Sequence, residues 1–116
     1  MIIKKNLAHM DQMIISGSII QAVKTYFHPQ AVDIEFSGFK TIGLEVLLRK
    51  KQKMVNRVFK VNEISLVGKA IEGNVSWSEI TLDLELKDGT IIKWDEVIKR
   101  VWNDKGQVME EKYFVN

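Results

Sequence analysis

Cysteine is missing from this sequence, and proline occurs once. Without thiols there is neither a disulfide framework nor a thiolate nucleophile, which fits a reducing compartment. An excess of one charge sign is missing as well: 17 Lys+Arg against 15 Asp+Glu leave a formal net charge of +2. That is far from the basic footprint of a dedicated nucleic-acid binder. No long apolar run occurs, and the opening MIIKKNLAHMDQ places lysines after a very short apolar start, unlike a signal peptide or a membrane span. The expectation is a cytoplasmic chain with no nucleic-acid partner and no membrane. His9 and His28, the 2 histidines, lack partners at ligand spacing, so no metal site is expected. A phosphate-cradling glycine loop, a dinucleotide fingerprint and a G-x-S-x-G elbow are also lacking, and no cofactor is expected.

What is present suits one domain of 116 residues, long enough to bury a core of its own. Leu7, Met10, Met13 and Ile14 recur at helical spacing, and Ser16-Gly17-Ser18 breaks the run and caps a second helix that buries Ile19, Ile20, Val23 and Phe27. Pro29 biases His28 toward extended backbone, which predicts a helix end near Phe27 and a strand over 31–36. After a loop over 37–41, residues 42–58 return to helical spacing, with Arg49, Lys50, Lys51, Lys53 and Arg57 read as the wet side of that helix. From there the pattern is β, over 61–71, 75–87, 90–102 and 108–115, punctuated by Gly73-Asn74, Asp88-Gly89 and Lys105-Gly106. Helices first and consecutive strands afterwards indicate an α+β fold with an antiparallel meander.

Taking Asp88-Gly89 as a two-residue turn sets Trp77 opposite Arg100, Glu79 opposite Ile98 and Thr81 opposite Glu96. The next hairpin then faces Arg100 with Glu111 and Ile98 with Tyr113, although a three-residue loop would substitute Glu110 for Glu111. One face of the sheet accordingly mixes all 3 tryptophans with carboxylates and an arginine, as a pocket with convergent polar groups does. The other carries Ile80, Leu82, Leu84 and Leu86 and needs an apolar cover, which a second subunit supplies. The alternative is that the leucines form the internal core and the tryptophan face lies outside.

The stretch Tyr26-Phe27-His28-Pro29-Gln30-Ala31-Val32-Asp33-Ile34-Glu35, followed by Thr41-Ile42-Gly43-Leu44-Glu45-Val46-Leu47, resembles the opening of the SnoaL-like branch of the nuclear-transport-factor-like and ketosteroid-isomerase-like superfamily. Gly73-Asn74-Val75-Ser76-Trp77-Ser78-Glu79, Lys87-Asp88-Gly89-Thr90 and Asn103-Asp104-Lys105-Gly106-Gln107-Val108 look like its strand starts and hairpin tips. The resemblance implies a cone, with a curved antiparallel sheet wrapped around about three N-terminal helices, a concave face lining a central pocket and a convex face that pairs subunits. By that resemblance Glu79, Thr81, Glu96, Ile98, Arg100, Trp102, Glu111 and Tyr113 face inward, and the leucine face is left for a homodimer. Glu35 falls where ketosteroid isomerases carry their general base. The positions matching their oxyanion hole fall near Asp11 and at Ile98; the second is aliphatic, which argues against steroid isomerisation itself.

The expected function is binding of a small apolar or aromatic molecule, with proton-transfer chemistry such as isomerisation, cyclisation or dehydration of a carbonyl compound. Glu35 would be the base, Arg100 with Glu111 or Glu79 the polar anchor, and Trp77, Trp102 and Tyr113 the aromatic walls. The rival is a non-catalytic binding or dimerisation module in which Arg100 and Glu111 merely satisfy one another.

Overall fold

The structure, a computed structural model, describes residues 1–115. The chain runs α1 (Ile2–Ile15), α2 (Ile19–Tyr26), β1 (Phe27–Ile34), β2 (Lys40–Ile42), α3 (Leu44–Arg57), β3 (Val58–Glu72), β4 (Val75–Leu86), β5 (Ile91–Trp102) and β6 (Val108–Val115). All six strands share one open sheet in the order β2-β1-β6-β5-β4-β3. The α+β class and the sheet wrapped round three helices are those expected. The β1–β6 ladder is parallel, while the other ladders are antiparallel.

Apolar spacing explains how the helices lie on the sheet. Ile3, Leu7, Met10 and Ile14 form one stripe of α1 and are buried with Ala22 and Val23 of α2 and Leu47 of α3 against Ile80, Ile98, Trp102 and Val108 of the sheet. Helix α1 begins five residues before Leu7, since Ile3 extends the same stripe by one turn. Helix α2 ends at Tyr26 and the chain passes directly into β1. The β1–β6 register shifts between Phe27 and Val32, the stretch that contains Pro29, whose ring nitrogen has no hydrogen to give to a ladder. Part of the expected loop over 37–41 is strand β2, reached by the three-residue turn Phe36-Ser37-Gly38. Its Gly38 takes φ +90°, and the Glu35 N–H donates across to the Phe39 carbonyl at 3.0 Å.

The β4–β5 turn is built the same way, and this moves the register. An Asp-Gly two-residue turn needs positive φ at both positions, but only Gly89 is left-handed, at +88°. Lys87-Asp88-Gly89 is therefore a three-residue loop, closed by the Leu86 N–H on the Thr90 carbonyl at 2.8 Å and by the Thr90 N–H on Asp88 Oδ1 at 3.0 Å. Ser76 then pairs with Arg100, Ser78 with Ile98, Ile80 with Glu96 and Leu82 with Trp94. A slip of one residue turns every side chain of a strand to the other face. Trp77, Glu79 and Thr81 are thus convex, opposite Lys99, Val97 and Asp95, while the leucine row of β4 faces the helices. The expected leucine-based dimer face is corrected by the same slip: Ile80 and Leu86 are buried and Leu82 packs against the core. On the other side of β5 the expectation holds, with Arg100 opposite Glu111 and Ile98 opposite Tyr113. A bulge after Val101 pairs Trp102 with Val108 instead of Met109.

A polar floor and an apolar mouth: the candidate functional site

Helices and concave sheet enclose a cavity of about 330 Å³. One end of the molecule is closed by the Gly73-Asn74 and Asn103–Gln107 turns and the start of α1, where Asn6 Nδ2 donates to the Gly106 carbonyl at 2.9 Å. Antiparallel and parallel pairings together bring the C-terminal ends of β1, β4, β6 and α3, and the starts of β3 and β5, to the opposite end. There Met54, Val55, Val58, Val61, Ile92 and Trp94 line the opening.

The floor is a charged network. Arg100 Nε donates to Glu111 Oε2 at 2.8 Å, and Arg100 Nη1 lies 3.6 Å from Asp11 Oδ1. Lys51 Nζ donates to Glu111 Oε1 at 3.1 Å and to the Tyr113 hydroxyl at 2.8 Å, and that hydroxyl donates to Glu111 Oε1 at 2.7 Å. Burial of Glu111 alone would raise its carboxyl, but Lys51 and Arg100 outweigh it and hold the group well below the usual carboxylate range. Burial and the negative Glu111 push the Tyr113 hydroxyl well above its ordinary value. Asp11 accepts from Ser78 Oγ at 3.1–3.2 Å, and burial keeps its carboxyl raised despite Arg100. Deeply buried charges persist only when paired in this way.

Two carboxylates stand outside that pairing. Asp33 is 3 % exposed, its nearest cation is Lys50 at 3.6 Å, and its Oδ1 has no hydrogen-bond partner. Burial, with Glu111 adding its negative charge, raises Asp33 to about 6 in spite of Lys51 and Lys50. Glu96 lines the cavity on β5 and is raised to about 7, again by burial first and Glu111 second. Glu35 sits at the rim beyond the end of β1, its side chain 37 % exposed and ion-paired to Lys50, which also donates to Thr41 Oγ1 at 3.0 Å.

Of the residues nominated from sequence, Glu35, Glu96, Ile98, Arg100, Glu111 and Tyr113 line one cavity. Trp77, Glu79 and Thr81 do not, for the register reason above. Trp102 faces inward yet belongs to the closed end, 1 % exposed with Nε1 donating to Ser76 Oγ at 2.9 Å. Trp94 lines the cavity in its place, stacked edge-on against Phe36 with centroids 6.4 Å apart, its Nε1 buried and unpartnered. Lys50 and Lys51 are pocket residues and not part of the wet side of α3. The signal was available: Lys51 continues the Leu44, Leu47, Leu48 stripe, as Asp11 continues that of Leu7 and Met10, and Asp33 alternates with the buried Ala31. An ionisable residue on an apolar stripe marks a buried charge. The histidines lie elsewhere, His9 bonded through Nδ1 to the Tyr26 hydroxyl and His28 accepting from the Gln30 N–H at 3.0 Å.

No family model and no curated protein matches the chain. Solved structures do. A protein described as a SnoaL-like polyketide cyclase from Mesorhizobium loti is 20% identical, with 97% of each chain covered and a TM-score of 0.86. An NTF2-like protein of unknown function from Burkholderia pseudomallei is 7% identical over 100% of this chain and 92% of that one, at 0.83. TerC, co-crystallised with polyporic acid, is 10% identical over 100% and 92%, at 0.79. No helix among the described residues is long and apolar enough to cross a membrane. At such identities the likeness speaks for architecture, and by architecture this chain is a SnoaL/NTF2-like cone.

Proposed function

We propose that the cavity takes up an uncharged, mainly apolar carbonyl compound and moves a proton to and from it, with Asp33 as base and Glu96 as acid. The observation that carries this reading is the split among the cavity carboxylates. Glu111 and Glu35 hold Lys51, Arg100 and Lys50, while Asp33 at about 6 and Glu96 at about 7 keep protons that can exchange near neutrality. At pH 7 Asp33 is mostly ionised and able to abstract, and Glu96 is about half protonated and able to donate to a carbonyl oxygen. The apolar walls favour a ligand without charge, and Trp94 Nε1 offers it a donor that no protein group uses. Isomerisation, cyclisation and dehydration all need this pair of roles, and the cyclase description of the Mesorhizobium loti neighbour is in keeping with them.

The base assigned from sequence, Glu35, lies two residues further along the chain from Asp33, where its partner Lys50 gives it a positioning role. The test is a screen of cyclic and aromatic ketones for proton exchange into solvent, followed with Asp33→Asn and Glu96→Gln. The expected profile is a bell rising through about 6 and falling through about 7. The Asp33→Asn substitution should lower the rate by at least about a hundredfold while ligand still binds. Exchange indifferent to both substitutions would end the assignment. If ligand binds but no proton moves in the wild type, the cavity is a binding site only.

We also propose a homodimer through the convex face, carried by Trp77, Val97 and Val101 rather than by the leucines. These half-buried apolar groups lie side by side on β4 and β5. Light scattering should give a dimer mass for the wild type and a monomer for Trp77→Ser with Val97→Ser; a monomeric wild type refutes it.

A further inference from the structure

Buried side-chain polar atoms that lack a hydrogen-bond partner are not scattered through this molecule. Among the described residues there are three, Asp33 Oδ1, Trp94 Nε1 and Arg100 Nη1, and all belong to side chains that line the cavity. Elsewhere the buried polar side chains answer one another: Ser76 accepts from Trp102, Ser78 donates to Asp11 and Thr41 accepts from Lys50. A buried donor or acceptor left alone costs stability. Three in one hollow mark the places where a ligand supplies the partners.

The proposed function uses Asp33 as the base, which leaves two donors. Arg100 Nε is taken by Glu111, but Nη1 stands 3.6 Å from Asp11, whose two oxygens accept from the Ser78 hydroxyl instead. An indole N–H and a guanidinium N–H can only donate, so each calls for an acceptor. Both residues lie on β5 and face inward, with Glu96 and Ile98 between them. A rise of about 3.3 Å per residue puts their Cα atoms roughly 20 Å apart along the strand, and one ligand oxygen cannot serve both.

The acceptor at the floor is uncharged. Arg100 already faces the carboxylates of Glu111 and Asp11, and a carboxylate on the ligand would be a third. Between the donors Ile80, Leu82 and Ile98 form apolar wall. We infer that the ligand is an extended, neutral compound with an oxygen acceptor at each end, one bonded by Arg100 Nη1 at the floor and the other by Trp94 Nε1 at the mouth. That is the pattern of a hydroxy-ketone or a diketone with an apolar body between its oxygens. The inference rests on the cavity being the ligand site of the proposed function, and not on the proton step.

Calorimetric titration of the full chain at pH 7 tests this with four biphenyls: one with an acetyl group at one end and a hydroxyl at the other, one with the acetyl alone, one with the hydroxyl alone, and one with the acetyl and a carboxylate. The acetyl-hydroxyl probe should bind about tenfold or more tighter than either one-oxygen probe and than the carboxylate probe. Trp94→Phe keeps a ring at the mouth and removes its N–H. It should weaken the acetyl-hydroxyl probe by about tenfold and the one-oxygen probes by less than about threefold, the latter measuring the ring contact that the smaller side chain loses. The floor end is read from the probe's own oxygen, because substituting Arg100 would take from Glu111 one of its two cations. Equal affinity for one- and two-oxygen probes, binding of none of the four, equal losses for all in Trp94→Phe, or tighter binding of the carboxylate would each overturn the inference. Exchange of the acetyl protons into solvent is followed in the same samples. The two-oxygen preference without exchange keeps this inference and counts against the proton step; exchange without the preference does the reverse.

Discussion

Trp102 and Trp94 lie eight residues apart on the same strand and the same face, at opposite ends of the cone. Trp102 is sealed among Leu7, Met10 and Val108, and its indole nitrogen is satisfied by Ser76. Trp94 stands beside an exposed Phe36, its indole nitrogen without a partner. The contrast extends to everything around them. The closed end commits its polar groups to one another and leaves no room, whereas the open end leaves donors, acceptors and apolar surface uncommitted. One sheet therefore does two jobs: packing at one end holds the curvature that keeps the other end hollow.

Breaking the floor between the two ends should have the largest effect. Glu111→Gln removes the carboxylate that Arg100 and Lys51 share, leaving Lys51 without a paired carboxylate and Arg100 with only Asp11 at 3.6 Å, and a loss of about 3–5 kcal/mol in urea unfolding is expected. A loss below about 1 kcal/mol would mean the pairing is not what holds the floor.

The two carboxylate classes are separated next. Glu96 is raised above its ordinary 4.5 to about 7, so the folded form binds its proton more tightly than the unfolded chain does. Stability from this group is greatest at low pH and falls as pH rises through that interval. Glu96→Gln should lessen the fall, leaving the part that Asp33 contributes between 3.8 and about 6, and make the protein more stable at pH 8 by on the order of 2–3 kcal/mol, because a desolvated carboxylate is replaced by a neutral amide. Glu111 is shifted the other way and contributes its change below the ordinary carboxylate range, outside this window. Equal pH dependence in wild type and variant would refute the split.

A smaller effect sharpens the difference in packing. At Gly106 a Cβ would meet Asn6 Nδ2 at 2.5 Å and Ile2 Cγ1 at 2.9 Å, with φ at +78°. Gly106→Ala should cost about 2 kcal/mol, seen as a lowered melting temperature. At the open end, Phe36→Ser should change stability by less than about 0.5 kcal/mol, since the ring is 65 % exposed. If the two substitutions cost the same, the ends do not differ as described.

How much of this could be read from residues alone depends on which kind of period was involved. Helical stripes were legible: Leu7, Met10 and Ile14 on α1 and Leu44, Leu47 and Leu48 on α3 pack as their spacing requires. The strand at 108–115 was legible too, along with Arg100 opposite Glu111. The face of β4 was not, because it rests on whether Asp88-Gly89 turns in two residues or three, and both loops suit the same sequence. That single residue of loop exchanged Trp77, Glu79 and Thr81 for Ser76, Ser78 and Ile80. Asp33 and Lys51 were passed over because sequence distance hides them from Glu111, although each sits on a stripe otherwise apolar.

Local spacing by itself determined the three helices, five of the six strands, the α+β class and which residues of β5 share a face, since periods of 3.6 and 2 need only neighbours along the chain; it left β2 as a loop and did not say which face looks inward. Only the tertiary structure decided which carboxylates are paired and which keep a proton. Glu111 and Asp33 are alike as carboxylates, and what separates them is that α3 and β5 bring Lys51 and Arg100 within hydrogen-bond reach of Glu111, while Asp33 has Lys50 at 3.6 Å, shared with Glu35.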